Sequence, residues 1–327
     1  MLRPDASPPS RWAMAALGAA AFLLASAPGL ASAASGCLET ATQAPSPSRA
    51  LAMASFALQE HEAFGGQSMD AEGRMTEAGD SEAEDTRRTV PGLAPWQRVL
   101  GYWQAVDPQL PSLVRFGALR GADRHLQGMG VGPDEGLDSV ELRAVQAALS
   151  RVAVIDTPWS AAFISWLARQ AGLADDEFVF SEAHVDYAGA AWQAGVEEAA
   201  GRPTRYALRA CDLARTPPRV GDLVCQARGA GAGFDTFDKI GEVLAARDTG
   251  GEPLPMHCDV VVAVDATGFD TVGGNVLQSV TRRRLDFAPG TRWLDPSYLP
   301  EGCTPGAPGC IDRHMSRQPW SLLLQWR

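Results

Sequence analysis

The spacing of apolar positions divides the chain into a helical first half and a strand-rich second half. Residues 51–63, LAMASFALQEHEA, keep helical spacing. PWQRVLGYWQAV, residues 95–106, predicts a helix opening at Pro95, because the fixed φ of proline suits a first turn. Residues 138–154 predict a longer helix, with Asp138 as cap and Leu142, Val145, Leu149 and Val152 on one face. DTPWSAAFISWLARQAG predicts the next helix over about 158–171, capped by Asp156 or Thr157 and stopped by Gly172. Phe163, Ile164, Trp166 and Leu167 make it apolar nearly all round, as a buried helix is. Residues 181–195 form a further helical stretch.

Past residue 205 the period changes. PPRVGDLVCQAR places a turn at 217–222 and a strand at 223–227. HCDVVVAVDATGFDTVGGNVLQSVTRRRL alternates as three strands joined by tight turns, with Asp265–Gly268 as one hairpin turn. Helices first and an antiparallel sheet second give an α+β layout, a single domain over 51–327. Residues 65–92 are polar, acidic and glycine-bearing, with DSEAED at 80–85, and read as a mobile, solvated loop.

The first 36 residues carry Arg3 and Arg11, an apolar run from Trp12 to about Leu30, and then small residues. That is a secretory signal pattern. Cys37 follows Ala-Ser-Gly, close to a bacterial lipobox, with Ala34 where leucine or valine is usual. Three outcomes stay open: lipidation at Cys37, cleavage near Ala33 or Ala34, and an uncleaved anchor. Each sends the remainder out of the cytoplasm, to the periplasm or to the outer membrane as a lipoprotein. Contact with the membrane is expected only through a lipid at Cys37, and residues 37–50 read as a Pro/Ser/Ala tether.

The net charge, 28 − 39 = −11, argues against nucleic-acid binding through the phosphate backbone. Six cysteines suit an oxidising compartment. Cys303 and Cys310 enclose a short Pro/Gly loop that a disulfide could close. With Cys37 lipidated, Cys211, Cys225 and Cys258 would make one pair and one free thiol. No CxxC or HExxH spacing is present, so no metal and no cofactor is expected.

The chemistry-bearing residues begin with Ser160. It stands where unpaired N–H groups and the positive dipole end of a helix converge, which favours a nucleophile and an oxyanion. His257 begins a strand and by alternation shares a face with Asp259 and Val261, while Cys258 faces away. It is the candidate general base. Asn275 lies one hairpin later, where it could orient the imidazole. His184 and Tyr187, three apart on a helix, could line a cleft beside Ser160, and Trp159 could wall it or belong to the core. A serine in a first turn, a histidine at a strand edge and a GGN turn are each ordinary structural features. Their order carries the information.

That order, PWSAAFISW, SEAHVDYA, PRVGDLVC, HCDVVVAV, GGNVLQSV, resembles the NlpC/p60 and CHAP superfamily of papain-like amidases and peptidases. More closely, the chain resembles the uncharacterised bacterial family called domain of unknown function 2272, over roughly residues 50–300. The resemblance implies a papain-like fold, with Ser160 on the catalytic cysteine, His257 on the catalytic histidine and Asn275 on the polar third residue. Two positions depart from the pattern. Serine replaces cysteine, and Asp259 replaces a glycine common two places after the histidine. A serine hydroxyl is not ionised by a helix dipole as a thiol is, so it needs a histidine to take its proton during attack. The expectation is an exported envelope hydrolase that cleaves an amide or ester bond, with a cell-wall peptide as substrate. The alternative is a non-catalytic envelope protein whose cleft binds a peptide or glycan.

Overall fold

A computed structural model describes residues 37, 44–83, 92–108, 139–246, 254–298 and 315–327. Its architecture is mixed, with six helices and one open sheet of eight strands. The helices are α1 (Ser48–Ala63), α2 (Pro95–Val106), α3 (Ser139–Asp156), α4 (Ser160–Gln170), α5 (His184–Ala199) and α6 (Phe237–Ala246). The strands are β1 (Ser68–Met69), β2 (Met75–Glu77), β3 (Leu208–Asp212), β4 (Leu223–Ala227), β5 (Met256–Val264), β6 (Gly268–Val276), β7 (Ser279–Asp286) and β8 (Leu322–Trp326). They run in the order β2-β1-β7-β6-β5-β4-β8-β3. Every neighbouring pair is antiparallel except β1 with β7.

Local chemistry explains the element ends near the site. α2 starts at Pro95, and the Ala94 N–H donates to Gln97 Oε1 at 3.0 Å. α4 ends on Gly172 at φ +79°, with Leu173 N–H donating to Ala168 O and Gly172 N–H to Arg169 O. This paired closure is favoured by a glycine free to adopt that φ. Asp265 closes the β5–β6 turn. Its backbone N–H donates to Gly268 O, and its Oδ1 accepts from the N–H groups of Thr267 and Gly268.

Each face of the sheet carries a buried apolar cluster. On one side α4 packs on β5 and β6. Phe163, Ile164 and Leu167 of that helix join Cys258, Val260, Val272 and Leu324 in a shared core. On the other side Val224, Val261, Phe269, Leu285 and Leu323 pack with Phe287, Leu294, Tyr298 and Trp320. Both layers bury large side chains and stabilise the sheet through lost apolar surface.

Several expectations need correcting. The segment 65–92 contains β1 and β2, and Asp80 and Glu82 of the acidic run are buried. The segment is tied down because Gln67 Nε2 donates to Val276 O and Thr281 Oγ1, and the Glu82 N–H donates to Gln278 O. Residues 84–91 lie outside the described residues. Asp156 does not cap α4, because it ends α3, and Trp159 stands in the cap position without a side-chain capping bond. Val145 and Leu149 are half-buried but Val152 is exposed.

The cysteines also pair differently. Cys225 on β4 lies opposite Cys258 on β5 and is bonded to it, and Cys37 is bonded to Cys211 of β3. No cysteine among the described residues is free. A sulfur committed to Cys211 is not available for a lipid thioether, and Cys37 is part of the folded body instead of a tether. The two bonds fit an oxidising compartment. Among the described residues no helix is long and apolar enough to cross a membrane. Cys303 and Cys310 lie outside them.

Candidate active site

Two helix starts and two strands converge on the candidate nucleophile. Ser160 is the first residue of α4. The first i→i−4 bond there is from Phe163 N–H to Trp159 O. The N–H groups of Ser160, Ala161 and Ala162 therefore precede the helical ladder and are the orphan donors of the helix start. His184 is the first residue of α5. Its Nε2 lies 2.7 Å from Ser160 Oγ. Its Nδ1 meets the hydroxyl of Tyr187, one turn later on the same face. When Ser160 donates to Nε2, the proton of the neutral imidazole sits on Nδ1 and is donated to Tyr187.

His184 and Tyr187 are both buried. Burial pushes the His184 pKa well below the histidine range, and the charges of His257 and Arg228 add to that, against an opposing pull from Asp259. The imidazole is therefore neutral at neutral pH, the form a base needs. Burial also raises Tyr187 well above the usual phenol, so it stays protonated.

The strand side of the site is charged. The His257 ring meets the His184 ring edge-on, with centroids 5.3 Å apart. His257 Nε2 lies 2.9 Å from Asp259 Oδ1, off the line of a well-directed hydrogen bond. Asp259 Oδ2 accepts from Arg283 Nε at 2.8 Å, from Arg283 Nη2 and from Thr271 Oγ1 at 2.9 Å. Arg283 in turn lies over the Trp320 ring, 4.8 Å from its centroid. Burial works to raise the Asp259 pKa, but Arg283 and then His257 outweigh it and hold the carboxyl ionised. Burial lowers the His257 pKa, and Asp259 offsets part of that.

Adjacent glycines on β6 make room on both faces of the sheet. A Cβ on Gly273 would fall 1.9 Å from Asp259 Oδ1 and 3.1 Å from His257 Nε2. A Cβ on Gly274 would fall 2.7 Å from Phe163 and Trp159. The Gly-Gly pair is thus strand, pressed by the carboxylate on one side and by α4 on the other.

The structure brings together Ser160, His184, Tyr187, His257 and Asp259, and the bond to Ser160 comes from His184. No hydrogen bond links Ser160 to His257, or Asn275 to His257. Asn275 is half-buried at φ +55°, at the register shift where β6 turns toward β7. The group facing the His257 imidazole is Asp259. Trp159 is fully buried in the aromatic core with Phe64, Tyr102 and Phe163, and its indole N–H donates to Glu82 Oε2 at 3.1 Å. It is not a cleft wall. Burial raises Glu82 to about 7, with the Trp159 bond opposing the rise.

Sequence reasoning missed Arg283, Thr271, Glu82 and Arg228. Arg283 alone had a signal: in the run Arg282-Arg283-Arg284, alternation turns the middle residue to the opposite face from its neighbours. The site is closed, with Ser160 3%, His184 4% and His257 5% exposed. A groove of about 370 Å³ lies elsewhere, on the outer side of α5 beside Asp186, Gln193, Tyr206 and Leu244. It holds none of the site residues, so the geometry at Ser160 is the better guide to chemistry. Among the described residues no cluster suited to a metal ion is present.

The chain belongs to the family described as an uncharacterized protein conserved in bacteria (DUF2272), whose family model matches residues 91–326. No curated protein matches the chain. No solved structure matches it either.

Proposed function

We propose that the chain is an exported acyl hydrolase of papain-like arrangement in which Ser160 is the nucleophile and His184 its base. The observation that carries this reading is the 2.7 Å contact between Ser160 Oγ, at the start of α4, and the Nε2 of a buried, neutral His184. The base is thereby moved from His257, expected from the order of motifs, to His184. Tyr187 takes the orienting place expected of Asn275.

Ser160 Oγ attacks the carbonyl carbon of an ester or amide and passes its proton to His184 Nε2. The carbonyl oxygen gains charge against the N–H groups of Ser160 and Ala161. His184 returns the proton to the leaving alkoxide or amine as its bond to carbon breaks. Water then attacks the acyl-serine, giving its proton to His184, and the carboxylic acid and free serine are regenerated. Tyr187 keeps His184 in the receptive tautomer throughout. Asp259, fixed by Arg283 and Thr271, supplies the negative charge that supports the imidazolium during each transfer.

Intact-mass analysis after mixing with p-nitrophenyl acetate tests this reading. One acetyl group is expected on the wild type and none on Ser160→Ala or His184→Ala. A wild type that neither carries an acetyl group nor releases p-nitrophenolate faster than Ser160→Ala, or acetylation that survives Ser160→Ala, contradicts it.

The burial of every member of the site favours a second reading, a non-catalytic envelope protein that binds a peptide or glycan at this cleft. In that case the wild type stays unmodified while ligands still shift its melting temperature. A cell-wall peptide as the substrate or ligand is carried over from the superfamily resemblance.

A further inference from the structure

We propose that Gln226 and Arg228 form a recognition subsite beside His257 for a substrate carrying a free carboxylate next to an amide N–H. The inference rests on the hydrolase reading for its kinetic form and on the geometry below for its binding form.

β4 pairs antiparallel with β5, and Gln226 lies directly opposite His257. Arg228 continues the extended backbone past the end of β4, at φ −143° and ψ 171°. Residues two apart on an extended chain point to the same face. Gln226 and Arg228 therefore share the face that carries His257 and Asp259. Arg228 is anchored at its base. Its backbone N–H donates to Pro255 O at 2.9 Å, and its Nε donates to Met256 O at 3.0 Å.

The two terminal nitrogens of Arg228 have no partner among the described residues, and no carboxylate offsets the charge. Arg283 has Asp259, Arg209 has Glu198 and Arg284 has Asp265, whereas Arg228 has no such partner among the described residues. Its pKa is lowered, first by burial and then by Arg283, with no acid opposing. Its charge also acts on His184 and His257, lowering the pKa of both. Unlike them it is exposed. It is the cation of the site that solvent, and so a ligand, can reach.

Gln226 supplies a second and separate signal. It is 4% exposed, and its Oε1 has no donor. A buried acceptor left unpaired is costly and calls for a donor. A guanidinium fork suits a carboxylate through two parallel hydrogen bonds. An amide N–H beside that carboxylate would satisfy Gln226. Inorganic phosphate lacks the planar pairing of a carboxylate with an adjacent amide N–H, so it cannot fit the fork and Gln226 in the same way.

The test compares mono-p-nitrophenyl succinate with p-nitrophenyl butyrate on the full chain, in the wild type, Arg228→Met and Arg228→Lys. The wild type is expected to prefer the succinate ester at least tenfold in kcat/KM. The ratio should fall to near one in Arg228→Met and recover in part in Arg228→Lys. A general effect of the lost charge on the histidines acts on both esters and leaves the ratio alone. Equal cleavage of both esters by the wild type, or a preference that survives Arg228→Met, overturns the subsite and leaves the hydrolase reading standing. If neither ester is cleaved, the hydrolase reading fails and binding decides the subsite. N-acetylglycine that raises the melting temperature of the wild type but not of Arg228→Met supports it. No shift in the wild type, or an equal shift with inorganic phosphate, overturns it.

Discussion

The helix side and the strand side of the site hold one histidine each, and the two differ in kind. His184 is served by neutral hydroxyls, Ser160 at Nε2 and Tyr187 at Nδ1, both brought by helix starts. His257 faces a carboxylate locked by an arginine, both brought by strand alternation. On the proposed reading, the neutral side exchanges a proton with the substrate. The charged side holds its proton inventory fixed, because Asp259 is ionised and doubly anchored. A nucleophile needs the first environment, and a transient imidazolium needs the second close by.

The comparison breaks most visibly if the neutral side is removed. Ser160→Ala and His184→Ala are each expected to lower kcat by about 10³-fold or more. The double variant should lose little beyond either one, since the two act as a unit. Steady-state kinetics on p-nitrophenyl butyrate, with circular dichroism to confirm folding, checks this.

On the charged side the larger effect is on stability. Asp259→Asn leaves Arg283 buried without its counter-charge and is expected to cost about 3 kcal/mol. Chemical denaturation should show a lower midpoint with an unchanged slope. Gly273→Ala drives a methyl into the Asp259 carboxylate and is expected to cost about 1–3 kcal/mol. It should also weaken catalysis through the displaced Asp259, so kcat and stability fall together.

The pH dependence sharpens the contrast further. His184 has a folded pKa below its unfolded value, so its neutral form belongs to the folded state. Its contribution to stability is full above the unfolded pKa and is lost as pH falls through the window down to the folded one. Activity should stay level through neutral pH and fall only well below the ordinary histidine range. Glu82 has the opposite sign. Its pKa is raised to about 7, so the folded state favours the protonated acid. Its contribution is full below the unfolded carboxyl pKa and is lost as pH rises through about 7. Glu82→Gln keeps an acceptor for the Trp159 indole and should stabilise the protein at pH ~8 by on the order of 1 kcal/mol, with little effect at pH ~5.

Much of this fold was legible where a local signal acted alone. Pro95 set the start of α2, Gly172 the end of α4, and alternation the span of β4 and the faces of His257, Asp259 and Cys258. The strands β1 and β2 were too short to show a period, and β3 and β8 depend on partners far away in sequence. The site was half legible. Ser160, His184, Tyr187 and Asp259 were all singled out from their residue types and spacing. Which histidine reaches Ser160 was not, because two helix starts meet only through tertiary packing. Glu82 looked solvated for the same reason, since only its distant partner Trp159 reveals its burial.

The most direct test of the account is fluorophosphonate labelling of the folded protein, comparing the wild type with Ser160→Ala, His184→Ala and His257→Ala. The account predicts labelling of the wild type, none in Ser160→Ala or His184→Ala, and slowed but measurable labelling in His257→Ala. Labelling that survives in His184→Ala but vanishes in His257→Ala would contradict it and return the role of base to the strand histidine.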